Sequence, residues 1–215
     1  MKHLFITLAL IILIVSCAKD TPKVLLFMRD GSPDLEYMLD REVGTMKRIL
    51  EQSGFKVAVA TLDGSSFSAG SVRMRADLAL ADVNVADYAG FMIPCMAAGN
   101  PAPQIPAEAV NLVKKAVSAG KPVAAQTGSV WALAEAGVLK GKKYASTSTQ
   151  GDPHFAGAIY AGSGVVKDGL VLSSGICPFM ARALRTSDGT EQLTRALIEA
   201  IKDRRRPRES SRTDK

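Results

Sequence analysis

Short apolar runs alternate along this chain with stretches whose apolar positions recur every third or fourth residue, so strands and helices are predicted in turn. Lys23 to Met28 (KVLLFM) reads as a strand buried on both faces, and Arg29 to Ser32 as a turn. Pro33 to Ser53 reads as a helix. Pro33 suits its first turn, Leu35, Met38, Leu39, Val43, Met46, Ile49 and Leu50 form one apolar stripe, and Gly54 stops it. Phe55 to Thr61 is a second strand, Leu62 to Ala81 a polar stretch with room for a short hairpin, and Tyr88 to Pro94 (YAGFMIP) a third core strand. A Pro- and Gly-rich loop, Ala97 to Pro106, leads to an amphipathic helix, Ala107 to Ala119, and then to a fourth strand, Lys121 to Gln126. Trp131 to Ala136 is helical, a short strand lies near Tyr144 to Thr147, and Ser148 to Gly164 is a loop region holding His154. Val165 to Lys167 and Leu170 to Ser174 flank Asp168-Gly169, a hairpin signal, and Thr190 to Lys202 is the last helix.

Alternating strands and helices, with strands of the fully buried kind, predict an α/β fold: a mostly parallel sheet covered by helices on both faces, in three layers. Ligands of such sheets sit beyond the carboxyl ends of the strands. The turn after Met28, the loop after Pro94 and the bend at Gln126-Thr127-Gly128-Ser129 would meet there. That bend joins a strand to a helix, the place where α/β enzymes often present a nucleophile, yet it holds neither cysteine nor histidine.

The 215 residues, 47% hydrophobic and 22% charged, suit one domain with a sizeable core. The formal charge of +6 falls to near +2 once Lys2 and the basic excess of residues 203–215 are set aside, which argues against a nucleic-acid partner. Met1 to Cys17 reads as an export signal. Lys2 and His3 precede an apolar run, Leu4 to Val15, that is too short to span a bilayer comfortably. Ile14-Val15-Ser16-Cys17 resembles a bacterial lipobox, which implies lipidation of Cys17, a membrane anchor and a cell-envelope location. Ala18 after the cysteine implies, by resemblance to enterobacterial sorting, the outer membrane facing the periplasm. Residues 18–22 are then a linker, 23–202 the domain, and 203–215 a polar, basic tail read as disordered. Two cysteines remain in the mature body, Cys95 and Cys177, and an oxidising compartment permits one disulfide between them. No CxxC or HxxxH spacing marks a metal site, and no cofactor motif is present.

Three stretches resemble the ThiJ/PfpI, or DJ-one, family: GKPVAAQTGSVWALAEAGVLKGKKYAST, VVKDGLVLSSG and DLEYMLDREVGTMKRILEQSGFKVAVAT. The resemblance covers most of residues 23 to 202 and implies the class I glutamine amidotransferase-like, flavodoxin-like fold. Active members of that family use a cysteine at the elbow, often followed by histidine. They add a glutamate from the first helix region and backbone amides from a Pro-Gly-Gly turn. In this chain the cysteine position falls on Thr127, the histidine on Gly128 and the acid on Glu36. Pro94 is retained, and the Gly-Gly pair falls on Cys95-Met96. Thr127 is a poor nucleophile without a base, and Cys-Met suits a tight amide cradle badly. The implied pocket comprises Glu36, Pro94, Cys95, Met96, Gln126, Thr127, Gly128, Cys177 and Pro178, with His154 as a further acid/base candidate.

The expectation is therefore a domain with an altered active site, non-catalytic or binding a small molecule, with a role in envelope stress by family analogy alone. Two alternatives stand beside it. One is a hydrolase, amidase or glyoxalase/deglycase-like enzyme with Cys95 as relocated nucleophile and Glu36 or His154 as acid/base. The other is a redox protein using Cys95 and Cys177. Family members are often homodimers, so a dimer is expected.

Overall fold

A computed structural model describes residues 21–28, 34–95, 105–147 and 149–206. Cys17, Met96 and residues 207–215 lie outside the described residues. A seven-stranded sheet runs through the molecule in the order β10-β11-β7-β6-β1-β2-β5. Its members are β1 (Lys23–Phe27), β2 (Lys56–Thr61), β5 (Leu78–Ala79), β6 (Gly90–Ile93), β7 (Val123–Gln126), β10 (Val165–Asp168) and β11 (Val171–Ser174). Every pairing is parallel except β10 with β11, the hairpin signalled by Asp168-Gly169.

The period-2 geometry of a strand sends neighbouring side chains to opposite faces. In β1, Leu25 and Phe27 join one apolar cluster while Val24 and Leu26 join the other. The first cluster holds α3 (Ala107–Ser118) and α4 (Val130–Glu135), and the second holds α2 (Thr45–Gln52) and α6 (Thr190–Arg205). Strands buried on both faces need no polar alternation, which is why they read as continuous apolar runs. The α/β sandwich expected from the sequence is the architecture observed.

The helix expected over residues 33–53 is broken into three parts. α1 (Leu35–Met38) passes into a π-helical segment, Leu39–Gly44, and then into α2. A small antiparallel hairpin, β3 (Phe67–Ala69) with β4 (Val72–Met74), lies in the polar stretch, and β8 (Lys143–Tyr144) pairs with β9 (Ile159–Tyr160). A helix not anticipated from the sequence, α5 (Pro178–Leu184), follows β11. The tail boundary also shifts, because α6 continues through Arg205 and residues 203–205 are helical.

Gly175, after β11, marks a close backbone approach. A Cβ there would lie 2.8 Å from the carbonyl carbon of Ser146 and from both Cα and O of Ser163. Backbone on both sides cannot step aside, so Gly175→Ala is expected to destabilise by about 1–3 kcal/mol. Urea unfolding of the full chain measures it, and an unchanged midpoint would refute the tight approach.

Candidate thiol site

The carboxyl ends of β6, β7 and β11 meet at one point. β6 delivers Pro94 and Cys95, β7 delivers Gln126 and the elbow, and the turn after β11 delivers Cys177 at the start of α5. The elbow is a single 3-10 turn, Thr127–Ser129. Thr127 holds φ at +46°, a left-handed conformation that a β-branched residue adopts only under constraint, at a cost of about 1–3 kcal/mol. The bend that elsewhere carries a nucleophile is thus built and strained here, with threonine at its apex. Ser129 Oγ donates to the Pro94 carbonyl at 2.5 Å and ties the elbow to the end of β6. The buried Gln126 side chain bonds the Ile176 carbonyl at 2.8 Å and Thr190 Oγ1 at 3.1 Å, fixing the turn that carries Cys177.

Cys95 and Cys177 pack together with Met38, both buried and both reduced, and they share a hydrogen bond. The pair is unequal. The hydrogen bond from Cys95 lowers the Cys177 thiol to about 6, against the opposing effect of burial. Backbone N–H groups of Met180 and Phe179 at the start of α5 add to the lowering. The Thr127 hydroxyl also contributes, although it finds no partner at hydrogen-bonding geometry. The same bond to Cys177 pushes Cys95 well above its ordinary value, with burial and the Glu42 carboxyl acting in the same direction. The Gly128 N–H donates to Cys95 Sγ at 3.4 Å. The amides at the start of α5 thus favour ionisation of Cys177, with Cys95 as the partner that holds its proton.

The acid of the site is Glu42, not Glu36. Glu36 is exposed on α1, where its Oε1 accepts from the Ser71 N–H and the Ser71 hydroxyl, each at 3.0 Å, clamping the β3–β4 hairpin. Glu42 is fully buried in the π-helical segment, and its Oε1 accepts the Cys95 N–H at 2.7 Å. Burial raises its carboxyl well above the usual range, and the nearby Cys177 charge raises it further. The Glu42 carboxyl is thus biased towards its neutral form beside the thiol pair. A signal for it existed in the sequence. Position 42 continues the spacing of Leu35, Met38 and Leu39 towards Met46, so a carboxylate interrupts a buried stripe.

The Cys95 N–H, at the first position of the expected amide cradle, turns inward to Glu42 and has no amide to offer a substrate there. His154 is not part of the site. It is 60% exposed, its Nδ1 lies 2.9 Å from Asp152 Oδ1, and its ring packs on Trp131. Pro178 opens α5 beside Cys177 as expected. Among the described residues, no group of three or more His, Cys, Asp or Glu is arranged to hold a metal ion.

Residues 22–181 match the model of the DJ-1/PfpI family. The chain belongs to this family. The chain is 35% identical over 159 residues to a Thermococcus kodakarensis protein named Deglycase TK1284, covering 71% of this chain and 89% of that one. Solved DJ-1/PfpI structures share the fold. A ThiJ/PfpI domain protein from Brachyspira murdochii superposes with a TM-score of 0.64 at 16% identity, over 84% of this chain and 96% of the other. Drosophila melanogaster DJ-1beta does so with a TM-score of 0.55 at 22% identity, over 85% and 97%. Within the DJ-1/PfpI frame this chain has a strained elbow with threonine at its apex and places its thiols on the two segments that flank it.

Proposed function

We propose that this chain is a thiol-redox protein of the cell envelope, in which Cys177 and Cys95 form a reversible dithiol–disulfide centre. The observation that supports it is the packed, hydrogen-bonded thiol pair at the elbow, in which the amides at the start of α5 meet Cys177 and favour its ionisation over that of Cys95. A low-pKa attacking thiolate beside a protonated resolving thiol is the arrangement that exchange with a small disulfide requires. The Cys177 thiolate attacks one sulfur of the small disulfide and expels a thiolate, which takes the Cys95 proton. Cys95 sulfur then attacks the Cys177 sulfur of the mixed disulfide and expels the second thiolate, which takes a proton from solvent. Two protein thiols are oxidised and one small disulfide is reduced to two thiols. Relocation of the nucleophile to Cys95 is the weaker reading, because its thiol is the one held protonated. Lipidation at Cys17 places the centre in an oxidising compartment, where its state responds to the local poise.

The test is a redox titration of the full chain in glutathione buffers, read by alkylation and peptide mapping. The expected result is a Cys95–Cys177 bond that forms and reopens without unfolding. Two thiols that stay reduced when glutathione is mostly oxidised would sink the reading. A second reading is favoured by the relative named as a deglycase: the Cys177 thiolate adds to the carbonyl carbon of a small dicarbonyl.

A further inference from the structure

At the opposite end of the sheet, where β1, β6 and β7 begin, lies a surface groove of about 440 Å³. Its rim carries Lys23, Lys121, Arg204 and Arg205, with Asp87 as the acidic member. None of these four cations makes a salt bridge within the described residues, whereas Lys167 and Arg206 both engage Asp203. The Lys23 ammonium rests over the Tyr88 ring at 5.3 Å, and the Arg204 guanidinium lies against Gly120. The groove also includes Thr21 and Pro22, where the described chain begins. Cys17 stands four residues before Thr21 in the sequence, and four residues reach at most about 14 Å. Both ends of the described domain, Thr21 and Arg205, line this groove.

We infer that this groove docks on a bilayer containing anionic phospholipid, its cations engaging the headgroup phosphates. Docking holds the strands' carboxyl ends, and with them the thiol pair, facing away from the membrane. The inference rests on the reading of Cys17 as the anchor, and it is independent of whether the thiols cycle. Four unpaired cations with one acid on a face tethered to a lipid give the charge complementarity that a polybasic surface uses, with range limited by the Debye length.

The test uses the full chain on phosphatidylcholine vesicles with and without phosphatidylglycerol. Hydrogen exchange is followed at residues 119–121 and 201–205, and the mass of the Cys17 peptide reports lipidation separately. The expected result is protection of these amides that requires phosphatidylglycerol and is released by salt. Lys121→Glu combined with Arg205→Glu should weaken it by at least about tenfold. Equal protection on phosphatidylcholine alone, or protection that survives the double variant, overturns the proposal. If Cys17 carries no lipid, the same chain is added from solution, and failure to cosediment with phosphatidylglycerol vesicles overturns it equally.

Discussion

Cys177→Ser is expected to abolish disulfide formation in the full chain and to cut its alkylation rate at pH 7 by about tenfold or more. In the wild-type protein the rate should rise with pH around a midpoint near 6, where the Cys177 thiol ionises. The rate should be flat above neutrality, because the thiolate is then fully formed. In this variant Cys95 loses the hydrogen bond to Cys177, but burial and the Glu42 carboxyl still hold its proton, so its alkylation should need a higher pH than that of the wild-type protein. The reciprocal change separates cause from coincidence. Cys95→Ala keeps Cys177 and removes the thiol whose hydrogen bond is the largest contribution to the lowering. The alkylation midpoint should climb towards the ordinary thiol value of about 8.5. The two variants also divide the proposed readings: consumption of a small dicarbonyl that persists in Cys95→Ala and vanishes in Cys177→Ser would favour carbonyl chemistry over a dithiol centre. A midpoint that stays near 8.5 in the wild type would remove the thiolate from both.

Glu42→Gln is expected to stabilise the protein increasingly as pH rises. The folded state keeps the Glu42 carboxyl protonated far above its unfolded range, because burial and the Cys177 charge both oppose ionisation. Between the unfolded and folded pKa values the native state binds more protons than the unfolded state. Its stability therefore falls with pH, by about 1.4 kcal/mol per unit. Glutamine retains an oxygen to accept the Cys95 N–H and has no proton to lose. Its NH2 group would fill the place of Oε2, which has no partner in the buried site. The two proteins should be equally stable near pH 4 and diverge above it. Glu42→Leu should be less stable than Glu42→Gln by about 1–3 kcal/mol, because the buried Cys95 N–H then lacks an acceptor. Parallel urea midpoints for wild type and Glu42→Gln from pH 4 to 8 would show that the carboxyl ionises normally.

The sequence announced some of this site and misdirected the rest. The elbow was legible because an apolar strand, a Gly-Ser break and a run of helix formers are local signals. The loop after Pro94 was legible as a pocket wall, because the carboxyl ends of parallel strands converge, whereas Cys177 entered the pocket only through the family resemblance. That resemblance puts the acid on Glu36, in a helix expected to be continuous. The π-helical segment Leu39–Gly44 interrupts that helix and carries Glu42 under the thiols, leaving Glu36 to the β3–β4 hairpin. His154 is the one histidine beyond residue 3, but its place is decided by Asp152 and Trp131.

By itself the sequence determined the α/β class, the buried strands and the elbow, since each is written in neighbouring residues and their periodicity. The tertiary structure alone decided which carboxylate is the acid and which sulfur is the thiolate. Those properties belong to an environment: the depth of Glu42, the inward turn of the Cys95 amide, and the amides at the start of α5 that meet Cys177. A pKa is set by what surrounds a group in space, and residues 42, 95 and 177 are neighbours only once the sheet has closed.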